Sequence, residues 1–239
     1  MSINIAIIDS GVNPWHSHVQ GVEGGLAFYL NSSGKVLRND DFRDELGHGT
    51  AIAGIIREKV PLARLYAIKI FQKKLEAPAS LLLAALEWAT KDDIKIIHLS
   101  LGTERGEYRV PLKKLCKQAH DKNIVIIGAA RGSNDQLFPA IFDTVIGAYW
   151  NRECDEASLI YHPESQVEFG AYGWPRALPG RPKRLNFSGN SFAAARVTAK
   201  AAQLLEQNPN AGTLWVKEML AKNAEKEIYA YGKEKIVEG

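Results

Sequence analysis

The sequence predicts an α/β fold in three layers, with a mostly parallel central sheet between helices on both faces. Apolar runs of strand length recur along the chain, at residues 3–8, 63–70, 94–101, 123–130 and 143–149. Because these runs are continuously apolar rather than alternating, we expect strands that are covered on both faces. Segments with helical spacing of apolar residues separate them. Strand alternating with helix predicts parallel strands joined by right-handed crossovers.

Two of the intervening segments are predicted helices. Residues 77–93 and 110–123 repeat apolar positions at intervals of three and four residues. Pro78 and Pro111 lie near their starts, where the first turn of a helix tolerates proline. The C-terminal segment, residues 214–239, begins as an amphipathic helix and ends charged. We expect this helical extension to cover the sheet or one of its edges, and a partner-docking tail is the alternative.

Length and composition favour a single domain over residues 1–239. The chain has 239 residues, 46% of them hydrophobic, and no linker, repeat or low-complexity tract divides it. Its 30 basic and 27 acidic residues give a net charge of +3, which is too balanced to predict a nucleic-acid partner. The basic stretch GRPKRL at residues 180–185 is expected to be a solvated loop. No apolar run reaches about 18 residues, so no membrane span is predicted.

The cysteines and the N-terminus favour a reducing, cytoplasmic location. Cys116 and Cys154 are the two cysteines, and two do not make the disulfide framework of a small secreted domain. We expect Cys116 on the apolar side of the second predicted helix. The N-terminal residues MSINIAIIDSG enter a strand pattern directly, without the basic and apolar regions of a secretion signal.

Three polar residues lie at predicted strand ends or helix starts. Asp9 ends the first strand, and His48 opens a helix of small residues. Ser191 lies at the start of an alanine-rich helix. Taken singly, Asp9 is typical of a turn cap, His48 of a hydrogen-bonded turn histidine and Ser191 of a helix cap. Ligands of open parallel sheets bind outside the carboxyl ends of the strands, so we expect the three residues at one rim. Together they supply the orienting acid, the base and the nucleophile of acyl transfer.

Longer motifs surround these residues. They read IAIIDSGVNPWHSHV around Asp9, DELGHGTAIAGII around His48 and FSGNSFAAARVTA around Ser191. In these motifs, and in the order aspartate, histidine, serine, the chain resembles the subtilases, the family of subtilisin-like serine proteases. The segments IIHLSLGT, DTVIGAYW and VEFGAYG add to the resemblance, which extends over about residues 3–208. It implies a subtilisin-like fold.

The resemblance implies a serine endopeptidase and a role for individual residues. Ser191 would attack a peptide carbonyl, His48 would take its proton, and Asp9 would fix the imidazole tautomer. An extended peptide substrate would pair, as an added strand, with the backbone of three residues, Ser100, Leu101 and Gly102.

The substrate-binding residues on the other side of the groove would be Ala130 and Arg131, with pocket walls in residues 131–138. Arg131 hints at acidic side chains in the substrate. No cofactor or metal is implied. The acidic stretch at residues 39–47 lacks the spaced ligands of a calcium site, and Asp44 is expected to order the approach to His48 instead.

The oxyanion segment departs from the subtilase pattern. Subtilases place an asparagine after a small-residue strand end, but here the stretch reads GAARGSNDQLFPA, and the nearest candidate, Asn134, is shifted along the chain. In subtilisin itself, one such donor contributes about 2.7–4 kcal/mol of transition-state stabilisation. An impaired oxyanion hole therefore leaves a rival hypothesis, a pseudoprotease that binds extended peptides without cutting them.

The nucleophile motif also departs from the pattern. Asn190 stands in place of the usual threonine and Ala195 in place of the usual proline. One interpretation is that the sequence at these two positions is simply relaxed. Another is that a less crowded serine lets an amine compete with water for the acyl-enzyme, which would turn hydrolysis into transpeptidation. A small protease in the cytoplasm needs narrow specificity, which would suit the maturation of one precursor, such as the removal of a leader peptide.

Overall fold

The computed structural model describes residues 2–90, 93–228 and 234–236. The strands are β1 (Asn4–Asp9), β2 (Gly24–Leu30), β3 (Val36–Asn39), β4 (Arg64–Lys69), β5 (Ile96–Leu99), β6 (Val125–Ala129), β7 (Val145–Trp150), β8 (Leu159–Tyr161), β9 (Phe169–Ala171), β10 (Lys226–Ile228) and β11 (Glu234–Ile236). The α-helices are α1 (His48–Lys59), α2 (Ala79–Ala89), α3 (Arg109–Asp121), α4 (Asn190–Gln207) and α5 (Thr213–Lys222).

The strands form one mixed sheet in the order β11-β10-β8-β9-β7-β6-β5-β1-β4-β2-β3. In the central part of this order, β9-β7-β6-β5-β1-β4-β2, every two neighbouring strands run parallel. Antiparallel pairs occur only towards the edges of the described sheet, as β2–β3, β8–β9 and β10–β11. The predicted α/β class with a mostly parallel sheet is confirmed, and the five apolar runs of the sequence form β1, β4, β5, β6 and β7.

Apolar clusters cover both faces of the sheet. One cluster includes Ile5 and Ile7 and joins the sheet to α1, α4 and α5. The other includes Ala6 and Ile8 and joins it to α2 and α3. Successive side chains of a strand point to opposite faces, so β1 divides its residues between the two clusters. This double cover explains why the strands are continuously apolar, and it confirms helices on both faces.

The predicted helices are present with small shifts at their ends. The segment 77–93 is helical over Ala79–Ala89, and Lys91 and Asp92 lie outside the described residues. The segment 110–123 is helical over Arg109–Asp121. Cys116 is fully buried on its apolar side, as predicted.

The C-terminal segment is less helical than predicted. After α5 ends, β10 pairs in parallel with β8, and β11 pairs with β10. These strands extend the sheet at the edge that β8 would otherwise leave open, and an open edge carries unpaired backbone groups. The predicted contact with a sheet edge is therefore made by strands. Residues 229–233 and 237–239 lie outside the described part of the chain.

Two surface predictions can be compared with the structure. Residues 180–185 are exposed, as expected of a solvated loop. Within the described residues, no helix combines the length and the apolar character that crossing a lipid bilayer requires.

Cys116 and Cys154 are both free and buried, and burial raises the pKa of each thiol to about 12.

Candidate active site

Asp9 occupies the last position of β1, at the carboxyl rim of the sheet. Its side chain is fully buried, and Oδ1 accepts a hydrogen bond of 2.6 Å from the backbone N–H of Ser10. The chain then turns at Gly11, which has a φ of 94°. A Cβ at Gly11 would lie 2.3 Å from the carbonyl oxygen of Phe42, so the DSG motif needs glycine for both conformation and space.

His48 is the first residue of α1, directly after Gly47 in a left-handed conformation. Its Nδ1 lies 2.8 Å from Oδ1 and 2.9 Å from Oδ2 of Asp9. A Cβ at Gly49 would lie 2.1 Å from the carbonyl oxygen of Gly11 and 3.1 Å from Oδ1 of Asp9. Glycine on both sides of His48 therefore lets the helix start closely enough to the aspartate for this contact.

Asp44 organises the start of α1, as the sequence suggested. Its Oδ1 accepts hydrogen bonds from the backbone N–H groups of Leu46 and Gly47, and Oδ2 accepts from the N–H and the hydroxyl of Thr50. Ser10 donates its hydroxyl to Asp44 and accepts from the N–H of Gly49. A carboxylate at this place satisfies free N–H groups and complements the helix dipole. It also links the loop after Asp9 to the helix that carries His48.

The buried pair favours its charged forms. Burial opposes ionisation of Asp9, but the charge and hydrogen bond of His48, with hydrogen bonds from Ser100 and Ser10, lower the pKa of Asp9 below its ordinary 3.8. Burial also opposes protonation of His48, but the carboxylate of Asp9 and its hydrogen bond outweigh it and raise the pKa of His48 above 6.5. The imidazole is therefore a stronger base than a free histidine.

Ser191 lies in the first turn of α4, after Gly189 at the N-cap. Its backbone N–H is one of those that a helix leaves without an intrahelical partner. The ring of the next residue, Phe192, is 5.0 Å from the ring of His48 between centroids, so the start of α4 packs against the start of α1. Ser188, three residues before Ser191, is exposed, and no side chain of the described residues caps this helix.

The hydroxyl of Ser191 donates to the backbone carbonyl of Ser100, at 3.2 Å. Among the hydrogen bonds of the described residues, none joins this hydroxyl to His48. With Nδ1 of His48 directed at Asp9, Nε2 is the ring nitrogen left for another partner. The structure thus brings Asp9 and His48 into contact and holds Ser191 beside them with its hydroxyl on a neighbouring carbonyl.

Asn190 and Ala195, the two unusual residues of the serine motif, have clear structural environments. The side-chain oxygen of Asn190 accepts a hydrogen bond of 2.9 Å from the N–H of Trp150, at the end of β7. The amide thus ties the start of α4 to the sheet. Ala195 is fully buried inside α4, where its N–H is free to join the helical hydrogen-bond ladder that a proline would interrupt.

A buried histidine that the sequence did not single out connects to the same aspartate. His98, in β5, is fully buried, with Nδ1 3.0 Å from the hydroxyl of Thr198 and Nε2 3.0 Å from the hydroxyl of Ser100. Thr198 in turn donates to the carbonyl of Ala194, at 2.8 Å. The Ser100 hydroxyl also helps to lower the pKa of Asp9, so these polar side chains lead from the serine-bearing helix α4 towards the catalytic aspartate candidate.

A neutral His98 fixes which atoms donate in this chain. Burial lowers the pKa of His98 to about 4, so the imidazole carries one proton near neutral pH. Because Thr198 donates its proton to Ala194, Nδ1 of His98 donates to Thr198, and Nε2 accepts the proton of the Ser100 hydroxyl. In the sequence, the sign of this chain was a histidine within the otherwise apolar run IIHLSL. The sequence did not show which residues of α4 contact that histidine.

The remaining predicted binding residues lie on the segments that follow β5 and β6. Leu101 and Gly102 are partly buried beside Ser100, and Ala130 is buried. Arg131 is exposed and paired with acidic neighbours. Asn134 is exposed in the loop after Arg131 and makes no hydrogen bond to the described protein, so its role as an oxyanion donor stays a prediction.

The sequence profile of the Subtilase family matches residues 2–236. Subtilases are serine-type endopeptidases, and that is the class to which this fold and site point. The chain belongs to the subtilase family. The match includes residues 209–236, which corrects the expectation that the resemblance ends near residue 208.

Curated relatives are similar over most of the chain. Subtilisin DY of Bacillus licheniformis is 26% identical over 251 residues, which cover 97% of this chain and 88% of that protein. Subtilisin E of Bacillus subtilis (strain 168) is 26% identical over 240 residues, 93% of this chain and 60% of that protein. The minor extracellular protease Epr of the same organism is 25% identical over 235 residues, 93% of this chain and 35% of Epr. The chain thus spans about a third of the length of Epr.

Solved structures agree on the fold. A cold-adapted subtilisin-like serine proteinase superposes with a TM-score of 0.69 at 18% identity, over 92% of this chain and 81% of that one. A lanthipeptide protease superposes with a TM-score of 0.68 at 19% identity, over 92% of this chain and 79% of the other.

Proposed function

We propose that this chain hydrolyses peptide bonds with a catalytic triad of Asp9, His48 and Ser191. The observation that carries the proposal is the buried contact of 2.8 Å between Asp9 and Nδ1 of His48, beside a serine in the first turn of a helix. The aspartate fixes the tautomer with its hydrogen on Nδ1, which leaves the lone pair on Nε2 to accept the proton of Ser191.

Substrate binding completes the site in this mechanism. The carbonyl of Ser100 holds the Ser191 hydroxyl in the free protein, and it is also the acceptor that a bound peptide needs for its backbone N–H. When the peptide N–H takes this carbonyl, the hydroxyl is released and rotates to Nε2 of His48. The serine is then activated only when a substrate lies in the groove.

The chemistry follows the general course of acyl transfer. The Ser191 oxygen bonds to the peptide carbonyl carbon as its proton passes to His48, and the carbonyl oxygen becomes an oxyanion. The N–H of Ser191 at the helix start donates to that oxyanion, and Asn134 is the proposed second donor. His48 then protonates the leaving amine, which departs and leaves an acyl-enzyme. Water attacks the acyl carbon as His48 takes its proton, and His48 then returns the proton to Ser191.

A labelling experiment tests the proposal. A fluorophosphonate probe should add to the wild type, detected by intact mass, and should not add to Ser191→Ala. Ser188→Ala is the matched control, because Ser188 is exposed three residues away and should leave labelling unchanged. Wild-type protein that fails to label while folded would contradict the proposal.

A peptide-binding pseudoprotease is the second candidate. Two observations favour it: the Ser191 hydroxyl bonds to the Ser100 carbonyl rather than to His48, and Asn134 makes no hydrogen bond to any residue that the structure describes. The two candidates predict opposite labelling results, since a binder without acyl-transfer chemistry does not react with the probe. Labelling of the wild type with loss in Ser191→Ala excludes the pseudoprotease.

We further propose a narrow role in the maturation of a precursor or leader peptide, in the cytoplasm. Support comes from the fold of a solved lanthipeptide protease and from two buried free cysteines, which suit a reducing compartment. The relative Epr is named as an extracellular protease, which argues against a cytoplasmic location. A cleavage profile of a whole-cell lysate should show few sites, whereas broad digestion would contradict the narrow role.

A further inference from the structure

Residues 174–187, here called the basic loop, lead into the serine-bearing helix α4 and carry positive charges without acidic partners. Arg181, Lys183 and Arg184 are exposed, and none of the ion pairs within the described part of the chain involves them. By contrast, Arg131, which is also exposed, pairs with two carboxylates. Like charges held close together repel one another. The basic loop thus presents three cations that its own surroundings do not neutralise.

Contacts within the protein hold these cations in place. The guanidinium of Arg181 donates two hydrogen bonds to the backbone carbonyl of Leu185, at 2.9 and 2.5 Å. The ammonium of Lys183 donates to the hydroxyl of Tyr172 and lies 4.9 Å from the ring centroid of Trp174. The charges are therefore carried by a folded turn and keep a defined position on the surface.

The end of the basic loop lies against the candidate general base. The ring of Phe187 is 5.6 Å from the ring of His48 between centroids, edge to face. In the proposed mechanism His48 gives its proton to the leaving amine, so the peptide after the scissile bond lies beside this imidazole. Residues 100–102 would hold the acyl part of the substrate instead. The basic loop therefore borders the leaving-group side of the site.

Phe187 also lines a cavity of about 400 Å³, a size typical of ligand sites. The cavity is lined by residues of the segments 13–18, 44–51 and 175–187. Two arginines of the basic loop face it. Arg176 pairs with Glu58 at 3.0 Å, whereas Arg181 has no carboxylate partner among the described residues.

The carboxylates on the opposite wall of this cavity are already engaged. Asp44 accepts hydrogen bonds from N–H groups and hydroxyls at the start of α1. Glu45 is 3.7 Å from the buried ammonium of Lys69. Neither of them neutralises Arg181, so a carboxylate that enters from outside can form a charge-assisted hydrogen bond with this guanidinium.

We propose that Arg181, Lys183 and Arg184 form a docking surface for an acidic segment of the substrate that follows the scissile bond. This inference rests on the proposed peptidase function and names the substrate class for its leaving side. A carboxylate in the cavity meets Arg181, and acidic residues further along the peptide meet Lys183 and Arg184. A nucleic acid or an anionic membrane suits this surface less well, because both usually engage a larger set of cations.

Digestion of a mixed peptide library, with the products sequenced by mass spectrometry, tests the proposal. For the wild type, Asp and Glu should be enriched at least about threefold within about six residues after the cut, a stretch of about 20 Å when extended. The triple variant Arg181→Gln, Lys183→Gln, Arg184→Gln should lose this enrichment. In 1 M salt, where the screening length is about 3 Å, the wild type should lose it as well.

A charge-matched variant is the control. Lys35→Gln, Lys113→Gln, Lys114→Gln removes three exposed cations elsewhere and should keep the enrichment. Arg184→Gln alone is the milder variant in case the triple one does not fold, and it should lose part of the enrichment. Enrichment that survives in both docking-surface variants, or acidic residues enriched only before the cut, would overturn the proposal.

Two further measurements separate this inference from its rivals. A fluorophosphonate reports the serine alone: if it labels the wild type and the library shows no acidic enrichment, the docking surface is wrong and the peptidase proposal stands. If it does not label the folded wild type, the peptidase proposal is wrong and this inference falls with it. Loss of binding to phosphatidylglycerol vesicles or to single-stranded RNA in the triple variant, with its cleavage pattern unchanged, would assign the surface to that partner and contradict the proposal.

Discussion

On one side of the candidate active site, Asp9 and His48 are buried and joined by two contacts shorter than 3 Å, whereas on the other Ser191 is partly exposed and its hydroxyl rests on a backbone carbonyl. The first side is held from several directions: by the Ser10 N–H, by Asp44 at the helix start and by close glycine contacts. The second side is held by one hydrogen bond and a helix start.

The difference suggests that the acid-base pair is fixed before substrate binds, while the nucleophile and the groove adjust. Orientation of the base by the aspartate is built into the fold. Alignment of the serine depends on what occupies the Ser100 carbonyl. Substitutions on the fixed side should therefore affect the chemical step, and those on the adjustable side should affect alignment and substrate choice.

The largest effect is expected from Asp9→Asn. The amide keeps the size of the side chain but favours the wrong tautomer of His48, so kcat/KM should fall about 10⁴-fold. The thermal melting curve checks that the variant folds, and peptide hydrolysis gives the rate. A loss smaller than tenfold would mean that the buried pair does not orient the base.

Asn134→Ala tests the adjustable side of the site. If the amide swings onto the oxyanion in the complex, kcat should fall about 10²–10³-fold, the loss that removal of this donor causes in subtilisin itself. Gln136→Ala, another exposed amide of the same loop, is the control and should leave kcat unchanged. Equal rates for both variants would remove Asn134 from the oxyanion hole.

The pH profile should show the raised pKa of His48. A protonated imidazole cannot accept the Ser191 proton, so kcat/KM should fall as pH decreases through a midpoint above 6.5. The pKa of His98, about 4, is too low to explain such a midpoint. A midpoint below 6.5 would contradict the pairing with Asp9.

Ser100→Ala sharpens the same measurement. The variant removes a hydroxyl that helps to lower the pKa of Asp9, which leaves a more basic carboxylate, so the midpoint should move to higher pH and kcat/KM at neutral pH should fall about tenfold. Ser188→Ala again serves as the control. A midpoint that does not move would show that the His98–Ser100 chain does not act on Asp9.

The same pKa shifts set the pH dependence of stability. His48 has a raised pKa in the folded state, so its contribution to stability is present below about pH 6.5 and is lost as pH rises through the raised value. Asp9 has a lowered pKa, so its contribution is present above about pH 3.8 and is lost as pH falls through the lowered value.

Much of the fixed side could be predicted from the sequence because short-range chemistry determines it. Continuous apolar runs required a sheet covered on both faces, and the strand end at Asp9 and the glycines around His48 located the pair. These features depend on neighbours in the chain and on the general geometry of parallel sheets.

The adjustable side depends on contacts between distant segments. The bond from His98 to Thr198 joins residues 100 positions apart, and Leu137 meets Gly102 only because Phe138 pairs with Thr103. The side-chain rotamer of Ser191 has no sequence signal at all. The strands β10 and β11 were missed because a charged edge strand has little apolar pattern.

The most direct test of the triad is a crystal structure of the protein after reaction with a peptidyl diphenyl phosphonate, a probe that bonds covalently to an active serine. We predict phosphorus bonded to Oγ of Ser191, Nε2 of His48 within hydrogen-bonding distance of the adduct, and the Ser100 carbonyl bound to a peptide N–H instead of the serine hydroxyl. Phosphorus on another residue, or an imidazole that remains apart from the adduct, would contradict the proposed mechanism.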